Sequence, residues 1–134
     1  MGSSVWTRID TLATHDAVFV APGTPLRQVA DLMAERSIGA VLVGDSHHLL
    51  GIVSERDLVA AAATGADFDR AIAAGAMSAD VVCLRPADRL YDAAVDMLDL
   101  GIRHVPVVDE RGTVEGIVSI RDLIRPLLVR SLEG

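Results

Sequence analysis

A chain of 134 residues, 51% hydrophobic but only 3% aromatic, has apolar material for one core and too little length for two independent ones, which excludes disorder. Its net charge of −7 excludes a broad footprint for nucleic acid, whose backbone is held by clustered Lys and Arg. A small anion, met by a few converging basic groups and a helix N-terminus, is still possible.

The start, Met1-Gly2-Ser3-Ser4-Val5-Trp6, resembles a myristoylation signal but has Trp6 where Ser or Thr is required, so lipidation is discounted. No apolar stretch approaches the length of a membrane span, and no basic-plus-apolar leader is present. The expected setting is cytoplasmic, with no membrane. The first element is a short apolar strand over 17–20, followed by a helix with Thr24 as N-cap and Pro25 at its first position. Leu26, Val29, Ala30 and Met33 recur at helical spacing and predict its buried face. Strands over 40–43 and 50–53 come next, joined by Asp45-Ser46-His47-His48. A second helix starts after Ser54 and runs through 58–63, and residues 64–76 form a linker to the second half of the chain, with a helical turn over 67–73.

The same order then returns. A strand over 81–84 contains the only cysteine, Cys83, which in that apolar run reads as a small buried hydrophobe rather than a nucleophile or metal ligand. Asp88 is the predicted cap of a helix buried through Leu90, Ala94, Val95, Met97 and Leu98. Strands over 105–108 and 114–118 flank the turn Asp109-Glu110-Arg111-Gly112. A last helix starts after Ser119 and runs through 123–128, with Pro126 expected to shorten or kink it.

A shift of 64 residues pairs Pro22 with Pro86, Leu26 with Leu90, Ala30 with Ala94, Met33 with Met97 and Ile38 with Ile102. A shift of 65 aligns Gly-Ile-Val-Ser-Glu-Arg-Asp-Leu at 51–58 with Gly-Ile-Val-Ser-Ile-Arg-Asp-Leu at 116–123, identical at seven positions of eight. The chain is therefore read as an internal duplication of α/β (α+β) class: unit 9–63, linker 64–76 and unit 77–128. The two β-α-β-β-α units are expected to pack about a pseudo-twofold axis.

The octets admit two readings. Ser-x-x-Asp opening a helix is a reciprocal cap, Ser54 with Asp57 and Ser119 with Asp122. Yet an Arg precedes each Asp, and a helix N-terminus after a strand suits phosphate. His47 and His48 are loop neighbours without metal-ligand spacing. His104 is either a pH switch or phosphate contact, or a half-buried interface histidine. No nucleophile elbow, phosphate loop or paired metal ligands are present, so no enzyme is predicted. The Ala and Met residues of the helices read as core and dimer packing rather than a cofactor box.

The octets, the helix starts and the segment Gly101-Ile102-Arg103-His104-Val105-Pro106-Val107-Val108 together resemble the CBS domain, the cystathionine-β-synthase module found in tandem pairs. The resemblance covers about Ile9 to Leu128. It departs in copy one, where Leu42 replaces the proline seen at Pro106 and the loop 45–48 lacks glycine. The resemblance implies a stand-alone regulatory homodimer with two clefts for an adenine nucleotide (AMP, ADP, ATP) or S-adenosylmethionine, no required cofactor, and an unidentified regulated protein as partner. By that resemblance one cleft takes Thr14, Val18, Ile38, Gly39, Arg103, Ser119, Arg121 and Asp122, and the other Ser54, Arg56, Asp57, Ser78, Val82 and Ile102. The Asp would hold the ribose hydroxyls, with Ser and Arg near the phosphates. Arg103 matches Gly39, which has no side chain, so a charged nucleotide is expected to prefer the Asp122 cleft. The rival reading is an interaction scaffold acting through its dimer surface.

Overall fold

The computed structural model describes residues 7–12 and 14–133, with the backbone alone for 129–133. The myristoylation-like start lies outside the described residues. The chain forms two compact units, Ala17–Val81 and a second composed of Met1–Asp16 with Val82–Gly134.

The contiguous unit contains β1 (Phe19–Val20), α1 (Leu26–Arg36), β2 (Ala40–Asp45), β3 (His48–Ser54), α2 (Glu55–Ala63) and α3 (Ala73–Ala76). Strand β2 is central, parallel to β1 and antiparallel to β3. Its residues Ala40, Val41, Leu42 and Val43 are all buried, which is why its sequence is continuously apolar rather than alternating. The core is Val20, Val29, Met33, Val41, Val43, Val53 and Ala73. The 45–48 loop tightens to two residues, Ser46 and His47, because Asp45 pairs with His48. Asp45 Oδ1 accepts the amides of His47 and His48 at 2.8 and 2.9 Å, and these bonds hold its carboxyl below the ordinary range against a smaller effect of burial.

The second unit contains a 3-10 turn (Ile9–Thr11), α4 (Leu90–Leu100), β4 (His104–Val108), β5 (Val114–Ser119) and α5 (Ile120–Glu133). Ile9, Leu84, Leu90, Ala93, Ala94, Met97, Val105, Val107, Val118 and Leu123 form its core.

Several expectations are corrected. The strand over 81–84 shrinks to a single parallel bridge between Leu84 and Val107. The cause is Pro106: in the first unit the Leu42 amide donates to the Val18 carbonyl at 2.9 Å, and proline has no amide to repeat that bond. The effect of the Leu42-for-proline departure thus falls on copy two. Thr24 and Asp88 do not cap their helices. The α1 amides of Leu26 and Arg27 donate instead to the carbonyls of Ala71 and Phe68 (2.9 and 3.0 Å), and Leu90 of α4 donates to Thr7 (2.7 Å). Backbone carbonyls brought in by distant segments satisfy amides that a side chain would otherwise take. Asp88 accepts the amide of Arg85 instead. The turn expected over 67–73 is a turn at 68–70 followed by α3.

Helix α5 continues through Pro126 to Glu133. The ring removes one backbone bond, while the helix stays seated through the fully buried Leu123. Val95 and Leu98 are not core residues: they are 37% and 62% exposed and continue a stripe from Tyr91, whereas Leu90, Ala93, Ala94 and Met97 face inward. Among the described residues no helix is long and apolar enough to cross a membrane.

Candidate ligand site

Each octet runs from the end of a strand into the first turn of a helix. Ser54 Oγ accepts the Asp57 amide at 3.4 Å and Asp57 Oδ2 accepts the Ser54 amide at 2.8 Å, a complete capping box on α2. The Ser54 hydroxyl donates to the same Oδ2 at 3.0 Å. On α5 the Asp122 amide donates to Ser119 Oγ at 3.2 Å and the Ser119 amide to Asp122 Oδ2 at 2.7 Å. Reciprocal capping is therefore satisfied in both units by the protein alone.

A carbonyl from the preceding strand entrance reaches each helix start. Gly39 accepts the Glu55 amide at 3.0 Å, and Arg103 accepts the Ile120 amide at 2.8 Å. Gly39 and Arg103 are thus structural equivalents, as the repeat predicts. With Asp57 and Asp122 bonded to their serines, two of the first three amides of each helix are committed. The reciprocal-cap reading of the octets is thus met, and fewer amides are left for a phosphate.

A crossing segment completes each arrangement. Ser78 exchanges backbone bonds with Ile52 (2.9 and 3.0 Å), and His15 exchanges them with Ile117 (3.0 Å each). Both segments pass directly over the glycine that opens the octet. A Cβ on Gly51 would meet the Met77 side chain and stand 2.9 Å from the Ser78 carbonyl oxygen. One on Gly116 would stand 2.8 Å from Thr14 Oγ1 and 2.9 Å from the His15 carbonyl oxygen. The glycines are required by this close approach.

The crossing register makes His15, not Thr14, the counterpart of Ser78, and Thr14 the counterpart of Met77. His15 is the residue that sequence reasoning missed; a crossing register one residue shorter than the 64-residue shift would have found it. Its Nε2 lies 3.1 Å from Asp122 Oδ1. A carboxylate only accepts, so Nε2 carries the proton. Burial pushes the Asp122 carboxyl up, but the bonds from Ser119 and His15 outweigh it and hold the group below the ordinary carboxylate range.

The second unit therefore brings Thr14, Arg103, Ser119, Arg121 and Asp122 together, and the contiguous unit does the same for Ser54, Arg56, Asp57 and Ser78. Arg56, Arg103 and Arg121 are exposed. Val18, Ile38 and Gly39 belong to the unit of Asp57, and Val82 and Ile102 to that of Asp122. His104 is half-buried and faces Ser119 across the hairpin. Cys83 is half-buried, and burial pushes its thiol up against a smaller opposing effect of Arg85. Among the described residues no group of three His, Cys, Asp or Glu could hold a metal ion.

The family model of the CBS domain matches residues 9–64 and 71–129. An uncharacterized 17.7 kDa protein of Acidianus ambivalens is 37% identical over 91% of the chain and 74% of its own length. An uncharacterized protein of Methanopyrus kandleri is 33% identical over 93% of the chain, which spans 66% of that relative. Among solved structures, a CBS domain protein from Pyrobaculum aerophilum complexed with AMP superposes with a TM-score of 0.83 at 28% identity, covering 96% of this chain and 100% of its own.

Proposed function

This chain belongs to the CBS-domain family, and on that footing we propose that it is a regulatory pair that binds an adenosine nucleotide and modulates a partner protein. The observation that carries the proposal is the doubled Ser-Arg-Asp start of α2 and α5, each with an exposed Arg beside a fixed carboxylate. Asp57 and Asp122 offer acceptors to ribose hydroxyls, while Arg56, Arg121 and Arg103 offer guanidinium groups to phosphate. The AMP complex of the similar Pyrobaculum protein supports this choice of ligand. Val18, Ile38 and Gly39 for the Asp122 site, and Val82 and Ile102 for the Asp57 site, are proposed to meet the adenine. The reading assigns the chain no reaction and no required cofactor.

A homodimer is part of the proposal. Tyr91, Val95 and Leu98 expose an apolar stripe on α4, where the corresponding positions of α1 are the exposed Arg27, Asp31 and Ala34. One duplicated helix has thus kept a solvated face while the other shows an apolar one. A second reading, an interaction scaffold without ligand, is favoured by the capping boxes being complete with protein groups alone.

A thermal-shift panel with AMP, ADP, ATP, S-adenosylmethionine and NAD separates the two. A ligand at 100 times its dissociation constant adds about 2.7 kcal/mol to stability, so an adenosine nucleotide is expected to raise Tm by several degrees. Unchanged Tm with every compound would leave the scaffold.

A further inference from the structure

We propose that His15 is a latch on the Asp122 site: its imidazole occupies the carboxylate oxygen that a ribose needs, so an adenosine ligand must displace the ring there and not at the Asp57 site. The inference rests on the nucleotide reading above and refines it.

The geometry leaves one oxygen in question. Asp122 Oδ2 accepts the Ser119 amide at 2.7 Å as part of the helix cap. His15 Nε2 stands 3.1 Å from the other oxygen, Oδ1. The ring is delivered by backbone, because the two bonds between His15 and Ile117 fix the segment beside β5. Its side chain is 67% exposed while that of Asp122 is 22% exposed, so the imidazole can swing into water without disturbing a packed neighbour.

The duplication supplies the control. Ser78 holds the same place over Ile52, with the same two backbone bonds, but carries only a short hydroxyl. Asp57 takes both Ser54 bonds on Oδ2, with Ser78 standing where the other unit has His15. The latch acts on the ribose and so on every adenosine ligand alike, whereas Arg103 can act only on those bearing phosphate. The two sites thus differ in two separable ways. Adenosine favours Asp57, and phosphate offsets that preference.

Calorimetric titration of the full chain with adenosine and with AMP tests this. In an Asp57→Ala background, which isolates the Asp122 site, His15→Ala is expected to tighten both ligands about two- to fivefold, the range for releasing one solvent-accessible side-chain contact. In an Asp122→Ala background, Ser78→His is expected to weaken both ligands by a similar factor. Unchanged or weaker adenosine binding after His15→Ala overturns the latch. If neither ligand binds the unaltered chain, the nucleotide reading fails, and the latch is judged separately by the 15N shift of the His15 ring in Asp122→Asn. A moved shift upholds the hold on Asp122; an unmoved one overturns it.

Discussion

Gly116 lies so close beneath His15 that a Cβ on it would stand 2.9 Å from the His15 carbonyl oxygen. The neighbour is backbone, held by its own ladder to Ile117, and cannot move aside cheaply. Gly116→Ala is therefore expected to destabilise by about 1–3 kcal/mol, as overpacking does, and Gly51→Ala by a similar amount. Gly23 has nothing within 4 Å of a built Cβ, so Gly23→Ala should stay within about 0.5 kcal/mol. Urea unfolding of the three variants checks the order.

Asp122 makes stability depend on pH. Its folded-state pKa is depressed because the bonds from Ser119 and His15 outweigh burial. A depressed carboxylate contributes stability above its unfolded-state value, near about 3.9, and loses it as pH falls through the folded one. The Tm difference between the unaltered chain and Asp122→Asn should be largest near neutrality and close as pH falls below the carboxylate range. A gap that widens on acidification would contradict this.

Arg103 separates phosphate from ribose. Its carbonyl caps α5 whatever its side chain, so Arg103→Ala should leave the fold intact. AMP affinity should fall about tenfold, in line with a charge-assisted hydrogen bond, and adenosine affinity should hold. Equal losses for both ligands would remove Arg103 from phosphate binding.

The outer stripe of α4 and its inner face should respond oppositely. Leu90→Ala and Met97→Ala remove fully buried side chains and are expected to cost about 2–5 kcal/mol each. Leu98→Glu alters a side chain that is 62% exposed and should leave the monomer's stability nearly unchanged. In sedimentation it should shift the proposed dimer towards monomer. A monomeric unaltered chain would refute the dimer.

The sequence made the duplication, the two octets and both capping boxes legible, because each depends on residues a few positions apart. What it hid depends on distance or on backbone. The carbonyls of Ala71, Phe68 and Thr7 that cap α1 and α4 carry no side-chain signature. His15 and Asp122 meet across 107 positions, with the crossing register one residue off the repeat. On α4, Leu90 with Met97 and Tyr91 with Leu98 form neighbouring apolar stripes at the same spacing, so periodicity could not say which one is buried. Pro106 was visible, but the amide it lacks is the counterpart of the Leu42 amide that reaches Val18, so its effect falls on distant Val82 while Leu84 keeps its bridge.

The placement of Ile9 has a consequence for how the chain folds. Its amide donates to the carbonyl of Asp88 at 2.8 Å, and its side chain is fully buried in the core of Leu90 and Met97. The unit Ala17–Val81 is closed within one stretch of chain, whereas the other must join segments about eighty residues apart and bear the larger entropy of loop closure. On the ribosome, residues 7–12 emerge early and wait for 84–97 before they have a core to enter. The contiguous unit is expected to form first, with the segment carrying His15 among the last to dock, and pulsed hydrogen exchange at the His15 and Ile117 amides would time that step.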